Sequence, residues 1–117
     1  MDWIQLLKPE TRLLLLKNFK EQEPRKGTGR EVDFKPAVRL YIEGTDMMWL
    51  LTECDGEGMA FGLCQIQCAE LGYVWLPEVA DLAAGGMSVV EDAYFEPQMT
   101  ISGYADRARS NGGFLEL

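Results

Sequence analysis

The stretch LLTECDGEGMAFGLCQIQC, from Leu50 to Cys68, holds all three cysteines of the chain and three acids at alternate positions, Glu53, Asp55 and Glu57. Carboxylates on a glycine-rich turn are the ligands that Ca²⁺ or Mg²⁺ would take, and thiolates are those of zinc. Neither pattern is complete. The calcium-loop spacing D-x-[DN]-x-[DN]-G is not met. The cysteines follow C-x9-C-x3-C without a paired knuckle, and the chain has no histidine to complete a site. The fixed motif in which base-modifying zinc enzymes keep their proton-shuttling glutamate is also missing. The sequence therefore predicts no metal and no cofactor. It makes the acids solvated turn residues, and Cys54, Cys64 and Cys68 small buried hydrophobes of a protein in a reducing, cytoplasmic setting.

The absence of histidine removes more than zinc. No Ser-His-Asp or Cys-His pair can form within one chain, and the usual general base near neutral pH is missing. Glu91 and Asp92 are adjacent, so on a strand they point to opposite faces and cannot act together as acid and base. The glycines form neither a P-loop nor a dinucleotide fingerprint. An enzyme or divalent-metal domain built on Glu53, Asp55, Glu91, Asp92 or Tyr73 is the alternative reading. The residue types favour a protein that is not an enzyme.

Charge is the stronger signal. The chain of 117 residues has a net charge of −8, and it is unevenly spread. Residues 1–39 carry nine Lys/Arg and six Asp/Glu, whereas the 67 residues from Leu40 to Asp106 carry no Lys or Arg and twelve acids. A typical domain would place about eight basic residues in that length. Such a field repels phosphates, which argues against direct nucleic-acid binding, and speeds encounter with positive proteins. The expected partner is a basic surface on a nucleic-acid-binding protein, met by Glu43, Asp46, Glu53, Asp55, Glu57, Glu70, Glu91, Asp92 and Glu96 in the manner of a DNA mimic. Trp49, Tyr73 and Trp75 are either core or an aromatic interface hot spot beside those acids. The plainer reading is that the acids keep the chain soluble while the basic N-terminal helix and loop compensate them.

These side chains need elements to carry them. A chain of this length is expected to form one domain. An N-terminal helix is predicted within residues 1–22, from Pro9 at its first turn to Gln22, with Leu13, Leu16 and Phe19 on one face and Leu14 and Leu15 broadening it. A polar loop fills residues 23–36. Alternation in AVRLYIEG, the runs MMWLLTEC and MAFGLCQIQ, and AELGYVWL predict four strands with short connectors, and MSVVEDAYF a fifth. Pro77 and Gly85-Gly86 bracket a short helix near 77–84, so residues 37–99 hold the sheet and this helix. Residues 100–111 form a C-terminal helix with Thr100 or Ser102 as cap. The expected class is α+β: one antiparallel meander of four or five strands, with the N-terminal and C-terminal helices packed against one face. No apolar run reaches the roughly 18 residues of a membrane-spanning helix, and the acidic start MDWIQLLKPE lacks the basic region of a secretory leader. Open sheet edges allow a monomer or a weak homodimer.

The motifs also resemble an uncharacterised bacterial family. Its pattern runs close to P-x-V-K-L-F, W-L-L-T-E, F-G-L-C and E-L-G-Y-V, and the matching stretches here are Pro36 to Tyr41, Trp49 to Glu53, Phe61 to Cys64 and Glu70 to Leu76. LLKPETRLLLLKN, VVEDAYFEP and SGYADRA are similar to the family's outer segments. Gln65 stands where the family pattern has Asp, and Trp75 where it has a small polar residue. The resemblance implies one domain and an accessory role on plasmids, integrative elements and phages, among anti-restriction and other accessory genes, which supports the expectation of an anti-defence, anti-restriction or anti-CRISPR-like DNA mimic. It brings no catalytic residues.

Overall fold

The structure is a computed structural model that describes residues 2–117; residue 1 of the predicted N-terminal segment lies outside the described residues. A single turn of 3-10 helix at Trp3–Leu6 leads into α1 (Pro9–Gln22), and another, Glu23–Arg25, leads out of it. Then come β1 (Val38–Ile42), β2 (Met48–Cys54), β3 (Met59–Gln65), β4 (Ala69–Trp75), α2 (Leu76–Ala84), β5 (Val89–Glu91) and α3 (Ile101–Ser110). The class is α+β, with the strands in one antiparallel sheet of order β4-β3-β2-β1-β5. β1 to β4 form the predicted meander. β5 pairs with β1 at the far edge, so α2 carries the chain across the sheet from one edge to the other.

The predicted one-sided packing is corrected, because helices cover both faces. Trp49, Leu51, Cys54, Ala60 and Val74 meet Leu15 of α1 and Leu76, Val79 and Ala80 of α2 in one core. Met48, Leu50 and Leu63 meet Ile101, Tyr104, Ala105 and Ala108 of α3 and the tail residue Leu115 in a second. Every residue of the central strand β2 is buried. A strand covered on both sides reads as a near-continuous apolar run, and MMWLLTEC is such a run.

The buried face of α1 also differs from expectation. Its buried residues are Leu15, Asn18 and Gln22, whereas Leu13 is 68% exposed. Two of the three are polar, and each bonds backbone of another element. Asn18 Nδ2 donates to the Thr52 carbonyl at 2.9 Å, while Gln22 donates to the Val32 carbonyl and accepts from the Val32 amide, both at 2.8 Å. An apolar-periodicity reading cannot see a stripe whose buried members satisfy backbone groups. Gly62 marks another close approach. A Cβ there would lie 1.9 Å from the Leu50 carbonyl oxygen, so β2 and β3 can run together only with glycine at this position.

Candidate functional site

The hairpin register divides the acids between two ends of the sheet. Met48, Gln65 and Ala69 are successive cross-strand partners. Glu43 and Asp46 on the β1–β2 turn therefore share an end with Glu70 at the start of β4, and all three are exposed. Asp55 and the exposed Glu57 lie on the β2–β3 turn at the opposite end, about 20 Å away along the seven residues of β2. Glu96 is exposed on the segment leading into α3.

Five of the nine predicted acids have partners within the chain, among them Glu70, which accepts from the Cys68 thiol at 3.3 Å. Asp55 Oδ1 accepts the backbone amides of Glu57 and Met59 at 2.8 and 2.9 Å, closing its own turn. Glu91 accepts the Lys8 amide at 2.7 Å and the Thr11 hydroxyl at 2.8 Å, capping α1 from β5. Asp92 pairs with Arg39 at 3.0 Å. Glu53, expected on the acidic surface, is instead 3% exposed.

The cause is a β-bulge. The β2–β3 register shifts between Leu51 and Glu53, so Thr52 is an extra residue, fixed by the Asn18 bond and by its hydroxyl donating to the Phe61 carbonyl at 3.2 Å. Strict alternation would put Cys54 with Leu50. The bulge puts Cys54 with Leu51 in the α1–α2 core and turns Glu53 to the opposite face, across from Phe61.

Glu53 there lines a cavity of about 440 Å³ with Phe61, Leu71 and Tyr73 of the sheet, Asp33 of the loop and Ser102 of α3. Lys26 closes one side. Its Nζ stands 3.7 Å from Glu53 Oε2, 3.4 Å from Glu23 Oε2, and 5.3 and 5.6 Å from the ring centroids of Phe19 and Tyr73. Burial raises the Glu53 carboxyl above its ordinary range, more than the Lys26 charge lowers it. Partial burial pulls the Lys26 ammonium down, but the Glu53 charge and the bond to Glu23 outweigh it and leave the value raised. Asp33 accepts from the Ser102 amide and hydroxyl; these bonds, with one from Thr100, hold its pKa low against the opposing effect of burial. Asp33 thus caps α3 from the loop and fixes the cavity rim. Composition signals none of this, because the bulge and the loop's path are tertiary features.

The aromatic residues separate. Trp49 is core, at 2% exposure. Tyr73 is 63% and Trp75 39% exposed on β4, and Tyr73 meets Phe61 edge-on at 5.3 Å. The cysteines are free and also unlike one another, since Cys54 is buried, Cys64 half-buried and Cys68 exposed. The expectation of three buried thiols is corrected at Cys68, which lies on the β3–β4 turn. Burial pushes the Cys54 thiol up to about 12 and also raises Cys64, while Cys68 is raised by its hydrogen bond to Glu70. None has the lowered pKa of a nucleophilic thiol. Among the described residues, no three His, Cys, Asp or Glu side chains come together in a geometry that could hold a metal ion. No helix among the described residues is long and apolar enough to cross a membrane.

Gln65 is buried at the hairpin end. It donates to the carbonyls of Asp46 and Leu115 and accepts the Leu115 amide at 2.7 Å. An aspartate could not make the two donor bonds, so in this chain the position ties the C-terminal tail to the sheet.

Fold and site together define an α+β domain with acidic sheet ends and an enclosed carboxylate under an aromatic strand. The chain belongs to the family described as protein of unknown function (DUF2958), whose model matches residues 6–115. No curated protein and no solved structure matches it.

Proposed function

We propose that this domain works by binding rather than catalysis, and that its partner is a basic, nucleic-acid-binding protein. The observation that carries the reading is the set of exposed carboxylates at Glu43, Asp46, Glu57, Glu70 and Glu96. None is in an ion pair among the described residues, where the only pairs are Lys26 with Glu23 and Glu53, Arg39 with Asp92, and Arg109 with Asp106. The N-terminal cations therefore leave the acids of the sheet ends uncompensated. Carboxylates held on hairpin turns are preorganised to replace phosphates in a groove built for a duplex. Exposed Tyr73 and Trp75 supply the apolar anchors that hot spots need. Anti-defence action for a mobile element, as a mimic of DNA toward a restriction or CRISPR enzyme, is the biological setting that this chemistry and the family resemblance favour. The free thiols fit a reducing cytoplasm. The protein would act as a monomer or a weak homodimer.

The test is capture of partners from a bacterial lysate at low and high salt, with the bound proteins identified and challenged with duplex DNA. The expected partner is a nucleic-acid-binding protein released both by salt and by DNA. The triple variant Glu43→Lys, Asp46→Lys, Glu70→Lys should weaken its affinity about tenfold or more. Unchanged affinity in that variant, or a partner indifferent to DNA, rejects the reading.

A further inference from the structure

The cavity at Glu53 is built differently from the acidic ends of the sheet. We propose that it is a recognition site for an organic cation, an alkylammonium or guanidinium group, and that Lys26, in its wall, faces the carboxylate as an internal stand-in. The inference needs only the cavity and does not rest on the sheet-end carboxylates.

The geometry points to a cation in three ways. Glu53 is 97% buried by its 3% exposure, yet its nearest charge partner, Lys26 Nζ, stands at 3.7 Å, longer than a hydrogen bond. A carboxylate withdrawn from water but not directly hydrogen-bonded by its counter-ion has acceptor capacity left for a ligand. Second, the Lys26 ammonium lies against the rings of Phe19 and Tyr73 at 5.3 and 5.6 Å, within cation–π range. A carboxylate with two aromatic rings is how proteins hold ammonium groups, and the structure already holds one in this way. Third, the lining carries Glu31, Asp33 and Glu53 against the single cation Lys26, so the site has negative charge beyond what its stand-in offsets.

The stand-in can leave. The Lys26 side chain is 35% exposed, and it precedes Gly27 and Gly29, whose positive φ of 75° and 77° put them in a region glycine enters freely. The remaining walls are fixed by the Gln22–Val32 and Asp33–Ser102 bonds. The free volume of about 440 Å³, left with Lys26 in the wall, falls in the range of small-ligand sites. The incoming group would come either from an arginine or lysine side chain of a bound protein, or from a free amine.

The test is titration of the full chain with methylguanidinium, n-butylammonium and the blocked peptide acetyl-Gly-Arg-Gly-amide, followed by amide NMR shifts at Glu53, Tyr73 and Ser102. Removing the internal competitor with Lys26→Ala should tighten binding of all three about tenfold. Glu53→Gln, isosteric and checked for an unchanged amide spectrum elsewhere, should abolish it. Preference for the peptide assigns the source to a protein side chain, and equal binding of the small cations assigns it to a free amine. Binding to Lys26→Ala no tighter than to the unaltered chain, or survival of binding in Glu53→Gln, overturns the proposal. The sheet-end triple variant should bind the cations normally, so loss of partner capture there leaves this site separately testable.

Discussion

Glu53 shows how one extra residue decides what a side chain can do. Its position in the sequence, two before Asp55 and four before Glu57, makes it look like part of a solvated acid ladder. The Thr52 bulge separates it from that ladder and buries it. Its folded pKa is raised above the ordinary value of 4.5, first by burial and against the pull of Lys26. The folded state therefore takes up a proton before the unfolded state does. That contribution favours the fold below the unfolded pKa and is lost as pH rises through the folded one. Ionised Glu53 thus costs stability at neutral pH. Glu53→Gln should melt higher than the unaltered chain at about pH 8, with the difference closing as pH falls to about 4. Thermal melts across that range check it, and a variant that melts lower at pH 8 would mean that the Lys26 pair outweighs burial. Asp33 has the opposite sign: its bonds to Ser102 and Thr100 favour the fold at neutral pH and are lost as acid protonates it.

The helices show what the chain encodes locally and what it borrows. α1 and α3 were legible from Pro9, Thr100 and the glycines after Asn111, and their bounds fall close to expectation. Their caps were not. Neither Lys8 nor Thr100 makes a side-chain cap bond, and the N-terminal amides are met instead by Glu91 from β5 and Asp33 from the loop. A local scan for cap residues cannot find an acceptor that arrives from 83 or 69 positions away. Glu91→Ala should cost about 1 to 2 kcal/mol by removing two bonds at the positive end of α1. Hydrogen exchange should show the loss as faster exchange at the first turn of α1, with α3 unaffected. A variant as stable as the parent would show that solvent replaces the carboxylate fully. The buried face of α1 was missed for a related reason, since Asn18 and Gln22 are polar by type but paired by position.

At the scale of the molecule, charge and topology were legible to different degrees. The basic-free window from Leu40 to Asp106 is a fact of the sequence, and among the described residues folding leaves its exposed acids, Asp106 excepted, without ion pairs. Like charges that stay unpaired repel, and salt screens them. The melting temperature should therefore rise as NaCl goes from about 10 mM to about 0.5 M, by a few degrees. A fall would mean that the Arg39–Asp92 and Lys26–Glu53 pairs outweigh the repulsion. The order of the strands, by contrast, depended on contacts that no local pattern carries. Short connectors predict that β1 to β4 lie side by side, but placing β5 beside β1 required α2 to span the sheet, and the second helical layer required α3 to choose the other face. What the sequence determined by itself is the α+β class, the four hairpin-linked strands, the helix bounds and the charge, because period, turn residues and composition are local. What only the tertiary structure decided is which acids remain free, which aromatic rings reach the surface, and that Glu53 and Lys26 meet over a cavity. Those depend on a bulge, on long-range caps and on the path of the 23–36 loop, each of them held by bonds between distant parts of the chain.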